Sequence, residues 1–204
     1  NNINFKIKNM NAPKINSVKA LMIVSFTVIF FTNACSQINK KSTSNSKVET
    51  IVEKPKIDIH QAVMSGNLEA VKKHIKAQTN IDEKEAMSGS TPLISAATFG
   101  KNDIVKALIN ANADLTAKNN DGSTALHTAA FFCRVEIVQM LIDAKVDKTI
   151  RNNFGATPRE SIMVPFAEIK PVYEMLQLQL GPLGMKIDLT EIEKIRPTIA
   201  VMLQ

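Results

Sequence analysis

GSTPLISAATFG (Gly89–Gly100) and GSTALHTAAFFC (Gly122–Cys133) are nearly the same twelve residues, written thirty-three positions apart. The interval persists beyond them. Gly89, Gly122 and Gly155 keep it, and so do Thr91, Thr124 and Thr157, then Val105 and Val138, then Leu108 and Leu141. A unit of this length is too small to bury its own apolar face. A fixed period therefore points to stacked copies that share one core. Within each copy, the threonine ahead of an apolar run is an N-cap residue whose hydroxyl satisfies free backbone N–H groups. Ala96, Ala97, Ala129 and Ala130 are small enough to let neighbouring helices approach. DIVKALI (Asp103–Ile109) and EIVQMLI (Glu136–Ile142) carry an apolar stripe at helical spacing.

The TPL or TAL start, the alanine pair and the 33-residue period together resemble the ankyrin repeat. The resemblance covers residues 57 to about 178. It implies an all-α fold: an ankyrin-type solenoid of helix–turn–helix repeats with projecting hairpin loops. Four units follow at 57–85, 86–118, 119–151 and 152–178, the first offset by one inserted residue. In the fourth, Ile162-Met163 replaces the alanine pair, Pro165 follows, and VYEMLQ (Val172–Gln177) reads as the second helix. Residues 179–204 do not fit the repeat. They read as a C-terminal helical cap with Asp188 or Thr190 and Pro197 at helix starts; a detachable, partner-binding tail is the alternative. Asn112 stands where a helix ends in the left-handed conformation, and Lys145 and Cys133 occupy comparable turns at some conformational cost.

Charge argues against a nucleic-acid partner. The chain is formally +6, but Lys6, Lys8, Lys14 and Lys19 contribute four of those charges without an acid among residues 1–35. Residues 36–56 contribute three more, which leaves residues 57–204 at −1. Counterion release has little to work with there. Aromatic residues are few (nine Phe, one Tyr and no Trp), as in repeat helices built from aliphatic side chains.

The first 34 residues read as an address. ALMIVSFTVIFF (Ala20–Phe31) is uncharged, follows Lys14 and Lys19, and is short for a membrane span. With Ala34 before Cys35 it resembles a bacterial lipoprotein signal, although Thr32 stands where leucine is usual. The resemblance implies acylation at Cys35 and a periplasmic, lipid-anchored protein in the bacterial envelope. An ordinary signal peptide or an uncleaved anchor is the alternative. Met10 would start a signal of normal size, with residues 1–9 upstream of it. Residues 35–56, rich in Ser and Lys, read as a flexible tether. With Cys35 lipidated, Cys133 has no partner for an internal disulfide.

Chemical motifs are absent. No clustered Cys/His ligands, nucleophile elbow, phosphate loop or dinucleotide fingerprint occurs. The sequence therefore predicts no enzyme, metal, cofactor or small-molecule substrate. His127, in TALHTAA, has the place of the ankyrin histidine and is read as structural, as is His60 in the first unit. The resemblance implies a domain that binds another protein through its concave face. The positions after the alanine pair, Thr98-Phe99 and Phe131-Phe132, point into that face. Asn120, Asp121, Ser123 and Phe154 are exposed on the finger loops. Phe99, Phe131 and Phe132 form either a contiguous binding strip or core contacts under the tail. An accessory protein that stabilises an envelope enzyme or assembly is the competing role.

Overall fold

Six helices begin where a short polar side chain caps an apolar run: Asp58, Asn67, Thr91, Thr124, Thr157 and Asp188 each accept from a backbone N–H of the first turn. The computed structural model describes residues 55–204, and the expected signal, Cys35 and most of the tether lie outside them. The helices are α1 (Ile59–Met64), α2 (Leu68–Lys76), α3 (Pro92–Thr98), α4 (Asn102–Asn110), α5 (Ala125–Phe131) and α6 (Val135–Asp143). They continue with α7 (Pro158–Ile162), α8 (Phe166–Leu180) and α9 (Leu189–Met202), with a short 3-10 turn at Gly181–Leu183. No strand occurs among the described residues, so the fold is the expected all-α solenoid. Thr91, Thr124 and Thr157 each accept a hydrogen bond from the backbone N–H three residues on.

The helices stack in two rows. α1, α3, α5 and α7 form the first, and α2, α4, α6 and α9 the second. Between the rows lie Leu93, Ile104, Leu108, Leu126, Ile137 and Leu141, all buried to 2% exposure or less. Side chains of this size contribute about 1.5–3 kcal/mol each when removed from water. The alanine pairs are fully buried, which is what allows adjacent first-row helices to pack closely. Asn112, Cys133 and Lys145 have φ of 59°, 53° and 58°, so all three turn residues adopt the left-handed conformation read for them.

The last unit departs from the sequence reading. VYEMLQ lies in α8, but α8 does not occupy the second-row slot; α9, from the segment read as an added cap, packs on α6 and α7 instead. The reason is register. Ile137, Val138 and Leu141 face the core of the third unit, and one period later stand Lys170, Pro171 and Glu174. None of these can fill an apolar slot, and Pro171 also lacks the N–H for its helical bond. The tail, read as starting two helices, forms one, capped by Asp188, whose carboxylate accepts from the Thr190 and Glu191 N–H groups; Pro197 lies inside it.

α8 packs on the core through Phe166, Ile169, Leu176 and Leu180, which are half-buried, and through one buried anchor. Tyr173 is its only buried side chain. Its ring stacks on Phe131 with centroids 4.7 Å apart, and its hydroxyl donates to the Phe131 carbonyl at 2.6 Å. Arg196, only 5% exposed, reaches from α9. Its Nη1 donates to the Tyr173 hydroxyl at 3.0 Å, and its Nη2 to the carbonyls of Ile162 and Val164 at 2.6 and 2.5 Å. Burial pushes the Tyr173 phenol up to about 12, so it stays a neutral donor. Tyr173→Phe keeps the ring but leaves the Arg196 donor and the Phe131 carbonyl unpaired. It should lower unfolding free energy by about 1–3 kcal/mol in urea titration; an unchanged midpoint would show that the hydroxyl carries no net stabilisation.

Candidate protein-interaction face

Three finger loops project between successive units, and each closes by a backbone bond across the loop, five residues wide in the first and four in the others. Glu85, Asn119 and Asn152 donate N–H to the carbonyls of Ser90, Ser123 and Ala156, each at 3.0 Å. Inside the second and third fingers an asparagine side chain organises the turn. Asn119 Oδ1 accepts from Asp121 and Ser123, and Asn152 Oδ1 accepts from Phe154 and Ala156. The first finger has Ala86 at that place, and Glu85 substitutes by accepting from the N–H groups of Met87 and Ser88 and the Ser88 hydroxyl. Burial opposes ionisation of Glu85, but the bonds from Ser88 and Met87 outweigh it and hold the carboxyl below its ordinary range.

The fingers are also joined to one another. Asn120 donates its backbone N–H to Ser88 O and its side-chain amide to Met87 O, both at 2.9 Å. Asn153 repeats this, with N–H to Asp121 O and amide to Asn120 O, both at 2.9 Å. Glycine makes the contact possible. A Cβ on Gly89 would lie 2.3 Å from Asn120 Oδ1, and one on Gly122 would lie 2.4 Å from Asn153 Oδ1. A Cβ on Gly155 would meet nothing within 4 Å.

His127 ties the third unit to the fourth. Its Nδ1 accepts from the Thr124 N–H at 3.3 Å, closing a capping box, so the proton resides on Nε2, which donates to Ala156 O at 3.0 Å. At the equivalent place in the first unit, both ring nitrogens of His60 are buried without a partner among the described residues. Burial holds the His127 imidazole below its ordinary 6.5.

The candidate residues do not share one environment. Asn120 and Phe154 are exposed, the latter at 44%. Thr98, Phe99, Asp121 and Ser123 are half-buried, with the Thr98 hydroxyl donating back to Ile94 O at 2.9 Å. Burial raises the Asp121 carboxyl pKa. Of the two readings of the phenylalanines, an open strip or contacts under the tail, Phe131 and Phe132 follow the second. Phe131 is half-buried under Tyr173, and Phe132 is 8% exposed in a cleft shared with Lys186, Ile187, Glu191 and Ile192. The physical reason is the C-terminal segment: α8 brings Tyr173 onto Phe131, and residues 186–192 close over Phe132. Cys133 is buried beside Phe132, and burial pushes its thiol up to about 11, which makes it unreactive as a nucleophile. Sequence reasoning missed the Asn120–Asn153 ladder although its signal, NNDG and NNFG one period apart, was present.

Residues 59–152 match the family model described as ankyrin repeats (3 copies). Protein phosphatase 1 regulatory subunit 27 of Homo sapiens is 44% identical over 63 residues, which is 31% of this chain and 40% of that protein. The Mus musculus protein of the same name is 43% identical over the same length. The chain thus spans about two fifths of the curated relatives it matches. A solved structure of the ankyrin repeat domain of Bcl-3, a member of the IkappaB protein family, shares 28% identity with a TM-score of 0.49 over 50% of this chain and 45% of that one. The solenoid is an ankyrin-type solenoid. Repeats of this kind are protein-interaction modules.

Two outcomes follow for the described geometry. Gly122→Ala and Gly155→Ala impose similar strain, with φ of 71° and 75°, but only the first adds a clash. Gly122→Ala should therefore be the more destabilising by about 1–3 kcal/mol in chemical denaturation; equal losses would remove the ladder from the stability account. For His127 the unfolded ring binds protons more readily than the folded one. Its stabilising contribution is complete above about pH 6.5 and is lost as pH falls below that value toward the folded pKa. Between pH 7.5 and 5.5, above the ordinary carboxylate range, the unfolding midpoint should drop, and His127→Gln should flatten that dependence. A parallel slope in the variant would assign the acid sensitivity elsewhere.

Proposed function

We propose that this chain is a non-catalytic protein-binding module of a bacterial cell envelope, lipid-anchored at Cys35 on the periplasmic side. It takes its partner on the finger tips and on the concave face of the first-row helices, as far as Thr98 and Phe99 at the C-terminal end of α3. The observation that carries the reading is the finger line itself. Asn120 and Phe154 stand exposed on loops locked to one another, and Thr98 and Phe99 are half-buried at the far, C-terminal end of α3. A preorganised row of this kind loses little entropy on binding. Phe131 and Phe132, covered by Tyr173 and the Lys186–Ile192 segment, support this face from behind. The anchor rests on the apolar run Ala20–Phe31 followed by Ala34-Cys35.

Two measurements test it. Because buried acyl groups contribute about 0.8 kcal/mol per CH₂, wild type should enter the detergent phase and Cys35→Ala should not. Equal partitioning sinks the anchor. For the face, Phe99→Ala with Phe154→Ala should keep the melting temperature within a few degrees of wild type while losing the partner captured from solubilised envelope. Unchanged capture by the double variant would move the partner site elsewhere.

A further inference from the structure

The finger ladder has an unfilled end. Each rung consists of two carbonyls on one finger and an asparagine on the next. Met87 O and Ser88 O receive Asn120; Asn120 O and Asp121 O receive Asn153. One period on, the equivalent carbonyls belong to Asn153 and Phe154, and they accept from no group among the described residues. The space above them is also kept. Gly155 has the same left-handed backbone as Gly89 and Gly122, and the volume that an asparagine Oδ1 fills over those two is empty over Gly155. The finger is braced by Arg151, whose guanidinium donates to Gly155 O, and by Glu160, whose carboxylate accepts from the Thr157 N–H; neither contact uses the Asn153 or Phe154 carbonyl.

We propose that this terminal rung is a docking site for a tight turn of a partner protein, seated by an asparagine. The asparagine N–H donates to Phe154 O, its side-chain amide donates to Asn153 O, and its Oδ1 lies over Gly155. The class of occupant is read from the two filled rungs, which hold this same group in this same way. Phe154, 44% exposed, borders the rung and adds an apolar contact for the incoming turn. The fingers of a second copy do not fit: among the described residues the first finger is the one with a free donor side, it has Met87 in place of the asparagine, and the Met87 N–H is committed to Glu85 at 2.7 Å. The inference rests on the reading of the finger row as the binding face and names the chemistry it selects.

The test uses the full chain, isotopically labelled, and a backbone-cyclised peptide copying Lys118–Thr124, which holds Asn120 in the turn that fills the internal rung. Titration should give saturable NMR shifts centred on Asn153, Phe154 and Gly155, with a millimolar dissociation constant. The same peptide with Asn120→Ala should bind at least about tenfold more weakly, the effect of leaving one carbonyl unpaired. Gly155→Ala in the protein should weaken the native peptide by a similar factor, since its Cβ takes the Oδ1 volume. If that variant unfolds, the peptide pair alone decides. Shifts that do not saturate, or equal binding by both peptides, overturn the proposal. The envelope capture uses neither the peptide nor Gly155, so a silent rung leaves the broader binding face standing, and a responsive rung with failed capture counts against that face alone.

Discussion

A buried guanidinium with no carboxylate beside it determines how this solenoid ends. Arg196 has left water almost completely, and an isolated charge in that position would be strongly unfavourable. Its compensation is entirely dipolar. Ile162 and Val164 offer carbonyls at the C-terminal end of α7, where helix dipoles favour a cation by roughly 0.3–2 kcal/mol, and Tyr173 offers a lone pair. The arrangement links three helices. α9 supplies the charge, α7 supplies the carbonyls, and α8 supplies a phenol that passes the contact on to Phe131 in α5. An acid in place of the carbonyls would bind Arg196 just as well, but it would not require the end of α7 to be where it is.

From that knot follows the position of everything after residue 163. With α9 fastened beside α7, the second-row slot is taken and α8 is free to lie along the other side. Tyr173 is its one fully buried anchor; Phe166, Ile169, Leu176 and Leu180 pack on the core half-buried, and Leu178 is 80% exposed. The same placement explains why Phe131 and Phe132 tolerate a position that favours small or polar residues. They are the surface on which the C-terminal segment closes.

What the sequence disclosed and what it withheld divide along the repeat. Caps at Thr91, Thr124 and Thr157, the core stripe, the left-handed turns at Asn112, Cys133 and Lys145, and the structural role of His127 were all legible, because each recurs at a fixed spacing or has a local physical cause. Arg196 and Tyr173 were not. Each occurs once, at no period, and their partners are backbone carbonyls, which leave no trace in composition. The swap of α8 for α9 lay between these cases. Lys170, Pro171 and Glu174 at core register already contradicted VYEMLQ as the second-row helix, but a proline after Pro165 is easily read as a simple phase shift.

The two ends of the molecule's last unit obey different physics. The helical stack must be sealed, because an exposed Ile137–Leu141 row would present apolar area to water at about 25 cal/mol per Å². α9 does this with Ile192 and Ile199. The finger ladder has no such requirement. Its unfilled acceptors are carbonyls that water satisfies at little loss, since an exchanged hydrogen bond is worth only about 0.5–1.5 kcal/mol net. Folding therefore depends strongly on the helical end and little on the finger end. Gly155 has no neighbour to make room for, and the turn's positive φ alone calls for glycine there. The finger end is the part of the chain where sequence is free to serve something other than stability.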